Sequence, residues 1–354
     1  MDFILHLPVL GLLLQFIGYM VQVVILNGGL IITLSTPIGL GALCGFMNER
    51  SGVVNIGIEG MMLASAFGAW YVASLSSAFL PDVSGPLGIT LPLLVGLLAG
   101  LATGVLVSLV HAWLSISVRA DQIISGTIIN IVALGITGYL ALLISQSSPP
   151  SAGNFSSVNL PQALTDIPVL GWVLSTFVEH GPITLAMLVL VVVLQVLLYR
   201  SRWGLRTRAV GEHPRAAETV GIDVIALRYR NVLLGGLLAG LAGAWFTIEY
   251  GNSFQSGMTN GRGFIALAAL IFGRWTPLGS VGAALLFGLA DTLGRAIRQT
   301  PPAGDLGAVL GAIPPQVFAA LPYIVTIIVL AGVVGRSIPP AADGQPYERE
   351  ATAR

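Results

Sequence analysis

The stretch Asn48-Glu49-Arg50-Ser51-Gly52-Val53-Val54-Asn55-Ile56-Gly57-Ile58-Glu59-Gly60 is polar and broken by three glycines. It lies between two apolar runs, 29–47 and 61–77, neither of which holds an Asp, Glu, Lys or Arg. Polar and ionisable groups at the edge of hydrocarbon are costly and face a protein interior or a water-filled path. Irregular backbone at that depth is tolerated only where it lines a cavity or is buried in protein. The stretch therefore reads as part of a route through a membrane.

The 354 residues are 55% hydrophobic and 9% charged, against about 25% charged in an ordinary soluble domain. That is the composition of an integral membrane protein, with room for roughly ten spans of about 20 residues. A net charge of zero gives no case for nucleic acid. All 16 basic residues are Arg. Without Lys the chain cannot carry a P-loop or form a Schiff base. His6, His111, His180 and His213 are scattered and Cys44 is alone, so no metal cluster and no disulfide within the chain is expected. The chain is not expected to be an enzyme. Its first apolar run lacks a basic leader and a small-residue cleavage site, and reads as a retained span.

Hydropathy predicts spans near 3–26, 29–47, 60–78, 89–115, 124–145, 182–199, 231–249, 263–273, 280–297 and 316–335. The expected fold class is all-α, a polytopic membrane domain over 1–336. The segment 263–273 is short for a bilayer of about 30 Å and fits a half-helix, or the end of a span that begins earlier, near Phe254. The loop 200–230 holds Arg200, Arg202, Arg206, Arg208, Arg215, Arg228 and Arg230, which places it in the cytoplasm. Counting spans outward puts Arg50, Arg119, Arg274 and Arg336 on the same side, with both termini. Arg262, Arg295 and Arg298 fall outside, as does the proline-bearing loop 146–181, whose apolar piece 167–173 fits a short interfacial helix. The tail 337–354, rich in Pro, Ala and charge, is expected to be disordered.

Phe67-Gly68-Ala69-Trp70 with Pro86-Leu87-Gly88 is echoed by Phe272-Gly273-Arg274-Trp275 with Pro277-Leu278-Gly279. The two copies fall on opposite sides, as two inverted five-span repeats require. Within the cytoplasmic loop, Pro214 suits a first helical turn and Gly221 a stop. They predict a two-turn helix over 214–220 outside the membrane, suited to docking on a cytoplasmic partner.

The run Thr36-Pro37-Ile38-Gly39 through Asn55-Ile56-Gly57-Ile58-Glu59-Gly60-Met61-Met62 resembles the membrane subunits of bacterial ABC importers for nucleosides and simple sugars, relatives of the ribose and branched-chain amino acid permeases. The stretch 211–223 resembles the family's ATPase-coupling segment, and Gly261-Arg262-Gly263-Phe264-Ile265-Ala266-Leu267-Ala268 a late family motif. Glu49-Arg50-Ser51-Gly52 leans toward the nucleoside type. The resemblance implies a bacterial inner-membrane permease with a partner ATPase that carries ATP and Mg, a second and different permease subunit, and an extracytoplasmic binding protein. It implies no cofactor on this chain. Carried onto these positions, Gly211, Glu212, Pro214, Ala216, Ala217 and Gly221 would couple to the ATPase.

Asn48, Asn55, Glu59 and Asp291 are the candidates for the path or its gate. Asn55 and Glu59 would share a helix face if the segment is helical there. Glu59 could instead pair with Arg50 or cap a helix, and Asp291 could be masked by Arg295, four residues on. Arg274-Trp275 fits an interfacial anchor. Glu249, Tyr250 and Asn252 could meet solute at the outer side. The competing reading is an ion-coupled secondary transporter of a small polar solute, which needs buried carboxylates arranged as a relay.

Overall fold

The computed structural model of the chain describes residues 8–81, 83, 85–146, 150–328 and 337–348. Among them are helices and connecting segments and no strand. The helices used below are α1 (Pro8–Glu49), α2 (Ile58–Ser77), α3 (Leu91–Ala112), α4 (Gln122–Ser145), α5 (Leu170–Val178), α6 (Pro182–Arg200), α7 (Arg202–Glu212), α8 (Pro214–Thr219), α9 (Val224–Ala244), α10 (Arg262–Phe272), α11 (Pro277–Gln299), α12 (Asp305–Gly311) and α13 (Leu321–Ile328). Seven of the described helices are long and apolar enough to cross a bilayer: α1–α4, α6, α9 and α11.

Not all of the ten expected spans appear as separate long helices among the described residues. Spans 3–26 and 29–47 run together in the 42-residue α1, interrupted at Asn27 (φ −122, ψ 23). The Asn27 side chain returns to Val23 O at 3.2 Å, supplying a donor where the helix ladder is broken. The expected short segment 263–273 is α10, 11 residues long. At about 1.5 Å per residue it covers roughly half the hydrocarbon thickness. Of span 316–335, the described part is Pro315–Ala319 and α13. Residues 3–7, 147–149, 329–336 and 349–354, on which parts of the expected spans, loop and tail fall, lie outside the described residues.

The chain forms two compact units. One comprises residues 1–35, 158–180 and 285–334. Its apolar core joins Tyr19 and Val23 of α1 to Leu293, Ala296 and Ile297 of α11, Leu306 and Leu310 of α12, and Phe318. A short helix is found where one was expected at 167–173: it is α5, displaced toward 178. Trp172 Nε1 donates to Ile25 O at 2.7 Å. His180 Nε2 faces Thr176 O at 2.8 Å and Nδ1 faces Thr33 Oγ1 at 3.1 Å. A carbonyl only accepts, so Nε2 carries the proton and Nδ1 receives the hydroxyl. Burial holds His180 below the usual histidine value.

The other unit comprises residues 36–157, 181–284 and 335–354. It is built on α2, α3 and α9. Gly96, Gly100 and Gly104 recur every four residues on α3, and a methyl group at Gly104 would stand 2.3 Å from Gly236 O. Small residues at that spacing let helix backbones approach closely, the usual source of helix packing where apolar burial gives no driving force. Residues 337–348, for which composition predicts disorder, instead follow a defined path against this unit. Composition misses this because the order comes from docking: Ala342 N donates to Gly211 O at 2.9 Å and Arg228 Nη1 to Gln345 O at 3.0 Å.

Candidate functional site: the polar break and the surface helix

α1 ends in the turn that its sequence encodes. Gly52 N donates to Glu49 O at 2.9 Å and Val53 N to Asn48 O at 3.2 Å. This pair of bonds is the Schellman pattern, which needs a left-handed residue just past the helix. Gly52 supplies it at φ +87. A side chain there would also strike Arg228 Nη2 at 2.6 Å and Ala342 O at 2.9 Å.

The chain then stays irregular to Gly57, so its backbone groups need partners from elsewhere. Val54 N donates to Gln122 Oε1 at 2.7 Å, and His111 Nε2 donates to Val54 O at 3.0 Å. His111 Nδ1 is 3.1 Å from Ser125 Oγ. Asn130 serves twice: its Nδ2 donates to Ile56 O at 3.0 Å and its Oδ1 accepts from Gly60 N at 2.7 Å. Asn55 closes a local turn, its Oδ1 accepting from Gly57 N at 2.9 Å. Asn130, Gln122 and His111 were not among the predicted site residues. The only signal was a polar side chain inside an apolar span for His111 and Asn130, and just before one for Gln122, with nothing in the spacing to link them to 54–60.

Asn48 and Asn55 are both fully buried. Asn48 lies against Gly235 of α9, where an added methyl would meet its Oδ1 at 2.4 Å. Asn55 precedes α2, which begins at Ile58, so Asn55 and Glu59 do not share a helix face. Of the two roles the sequence allowed Glu59, pairing with Arg50 or capping a helix, the structure shows the second, and Arg50 stands beside Glu212. The Glu59 carboxylate accepts from Thr259 Oγ1 at 2.7 Å, Gly261 N at 2.8 Å and Gly263 N at 2.6 Å. It caps α10, whose first N–H groups carry the positive end of the helix dipole.

Glu249 acts in the same way on α6, accepting from the N–H groups of Ile183 and Thr184 and from Thr184 Oγ1 at 2.6 Å. It does not stand open at the outer side as the sequence allowed. Asp291 belongs to the other unit and has Arg295 Nε at 3.6 Å. Trp275 is buried and donates to Glu49 Oε2 at 2.6 Å. It is therefore not an interfacial anchor: Glu49 offers an acceptor inside the protein.

The surface helix expected at 214–220 is α8, with Pro214 at its start and Gly221 at φ +82 beyond its end. α7 before it and the early start of α9 at Val224 make most of the rest of the loop 200–230 helical. Gly211 is buried against the polar turn, where a methyl would stand 2.3 Å from Arg50 O. Glu212 Oε1 is 3.6 Å from Arg50 Nη1. Ala216 and Ala217 do not share a side. Ala217 packs with Val210, Val224, Leu227 and Tyr347, while Ala216 and Val220 are exposed. Arg228, counted in the sequence as a loop charge, is 1% exposed.

The polar break, Glu59 and α8 thus belong to one unit, and the first turn of the break is in contact with the segment that leads into α8. A displacement of α8 is placed to be felt at the break. The arrangement holds the Glu59 and Glu249 carboxylates on backbone N–H and threonine hydroxyl groups.

Residues 29–330 match the family model described as branched-chain amino acid transport system / permease component. The guanosine ABC transporter permease protein NupQ of Bacillus subtilis is 41% identical over 315 residues, covering 88% of this chain and 93% of the relative. The nucleoside ABC transporter permease protein NupC of Lactococcus lactis is 37% identical, covering 92% and 96%. The putative glucose ABC transporter permease protein TsgC13 of Haloferax volcanii is 33% identical, covering 88% and 93%.

Proposed function

The chain belongs to the branched-chain amino acid transport system permease-component family, and from that premise we propose that it moves nucleosides inward as one transmembrane subunit of an ATP-binding-cassette importer. The observation that carries the reading is the contact of the segment before α8 with the polar turn: Gly211 against Arg50, and Glu212 beside Arg50. The two relatives named for guanosine and nucleoside transport support the solute class.

In this reading a partner ATPase carries ATP and Mg and engages the exposed face of α8. A second, different permease subunit completes the path, and an extracytoplasmic binding protein delivers the solute. The chain crosses the inner membrane ten times, with both termini in the cytoplasm. The break at Asn27 divides α1 into two crossings, the crossing that ends in α10 begins earlier, near Phe254, and the two five-span halves are inverted repeats. Closure of the ATPase moves α8, and the turn 50–54 shifts with it to open the inner end of the path. Catalysis of hydrolysis lies on the partner.

The secondary-transporter reading needs carboxylates able to hold and release an ion. Glu59 and Glu249 are instead engaged by helix N-termini, and Asp291 has an arginine beside it. The test is co-expression of the tagged permease with candidate ATPase, second-permease and binding-protein subunits, followed by uptake of labelled guanosine with glucose as competitor. Co-purification of the ATPase and guanosine uptake undiminished by glucose are expected. No ATPase in the purified complex would refute the importer, and competition by glucose the solute class.

A further inference from the structure

We infer that residues 337–348 are a strap that fastens the coupling helix α8 to the polar turn, with Tyr347 and Arg228 as its positioning residues. The inference rests on the ATPase-coupled reading above.

The strap touches each part of the proposed transmission. At its start Ser337 Oγ donates to Ile271 O, near the end of α10, at 2.7 Å. Ala341 N donates to Glu212 Oε2 at 3.1 Å and Ala342 N to Gly211 O at 2.9 Å. Ala342 also presses on Gly52 of the polar turn. At its far end Tyr347 donates its hydroxyl to Glu218 on α8 and packs its ring among Val210, Ala217, Val224 and Leu227. Glu348 then pairs with Arg119 at 2.7 Å.

Arg228 joins the two sides. Its Nε donates to Ser51 O and its Nη1 to Gln345 O, both at 3.0 Å, and its guanidinium stands 5.9 Å from the centre of the Tyr347 ring. A rigid fork of donors that spans two carbonyls fixes their separation, which a flexible ammonium would not do. Pro339, Pro340 and Pro346 hold their own backbone angles, so the strap loses less freedom on docking than an ordinary tail. The strap lies on the buried side of α8, the side of Ala217, and leaves Ala216 and Val220 exposed for a partner. Binding of the ATPase on one face and of the strap on the other are compatible. The strap thus makes α8, the start of α9 and the turn 50–54 move as one body.

The experiment uses the complete transporter in proteoliposomes and reads solute taken up per ATP hydrolysed, with ATPase content and thermal stability measured alongside. One variant ends the chain at Arg336. The other, Tyr347→Phe, keeps the ring in its cluster and removes only the hydroxyl that reaches Glu218. The truncated chain is expected to retain the ATPase and to hydrolyse ATP, with uptake per ATP reduced about tenfold, within the usual range for coupling between sites. Tyr347→Phe is expected to lower the ratio about twofold at unchanged stability, the size of a single net hydrogen bond or less. If the truncated chain fails to assemble, Tyr347→Phe decides. An unchanged ratio in the assembled variants overturns the strap. Absence of ATPase from the full-length complex overturns the importer reading itself, and the strap with it.

Discussion

Asn130 does the work of two partners for the broken segment, and neither contact can be replaced by water in an apolar surround. Leucine at this position would leave Gly60 N and Ile56 O without their side-chain partner. At about 1–3 kcal/mol for each buried group left unsatisfied, Asn130→Leu should cost roughly 2–5 kcal/mol of stability. Thermal unfolding of the detergent-solubilised protein measures it, and an unshifted midpoint would remove Asn130 from the account.

Asp343 provides a second residue-scale test. Burial pushes its carboxyl up to about 7, although the Gly344 N–H and the Arg228 guanidinium both favour the charged form; Glu49 is the other acidic neighbour and Tyr347 lies across Arg228. The folded value lies above the ordinary carboxylate value near 4, so the folded chain holds the proton in the window between them. The stability contributed by neutral Asp343 is complete below about pH 4 and is lost as pH rises through about 7. The strap should accordingly loosen from about pH 5 to about pH 8. A spin label on Ala341→Cys reports it, since Cys44 is the other cysteine and is buried. Asp343→Asn should flatten the response; a response that persists in this variant would assign the titration to another group.

At the scale of elements, Ala217 of α8 and Val220 just beyond its end separate folding from docking. Ala217→Asp places a carboxylate in the apolar cluster with Val210 and Leu227, at a cost of roughly 3–5 kcal/mol for an unpaired buried charge. Val220→Asp changes an exposed side chain and should leave stability within about 0.5 kcal/mol while weakening capture of the ATPase. Equal unfolding midpoints for the two variants would contradict the packing described for α8. Glu59→Ala makes the corresponding statement for α10. It removes three charge-assisted bonds at the helix start and should lower the unfolding midpoint by the equivalent of about 2 kcal/mol or more.

The elements that could be read in the sequence were those set by local chemistry. Pro214 and Gly221 bounded α8, the gap between the expected spans 3–26 and 29–47 fell at the interruption of α1, and the length of 263–273 matched α10. What could not be read depends on partners far along the chain. Asn130 meets residues about 70 positions away, and Arg228 meets Gln345 across 117. No periodicity encodes such pairings. The path of 337–348 was hidden for the same reason: its composition describes an isolated tail, whereas its order comes from α7, α8 and Arg228.

At the scale of the whole molecule, the account makes the chain a transmission and a path, with energy supplied from another subunit. Carboxylates bound to helix N-termini do not need a cotransported cation to neutralise them. Transport should therefore follow nucleotide and be indifferent to an imposed ion gradient. The decisive measurement is guanosine entry into proteoliposomes that hold the assembled transporter, with ATP and Mg on the ATPase side and binding protein on the other. Accumulation that requires ATP and persists when proton and sodium gradients are collapsed is the predicted result. Accumulation without ATP, driven by either gradient alone, would contradict the account.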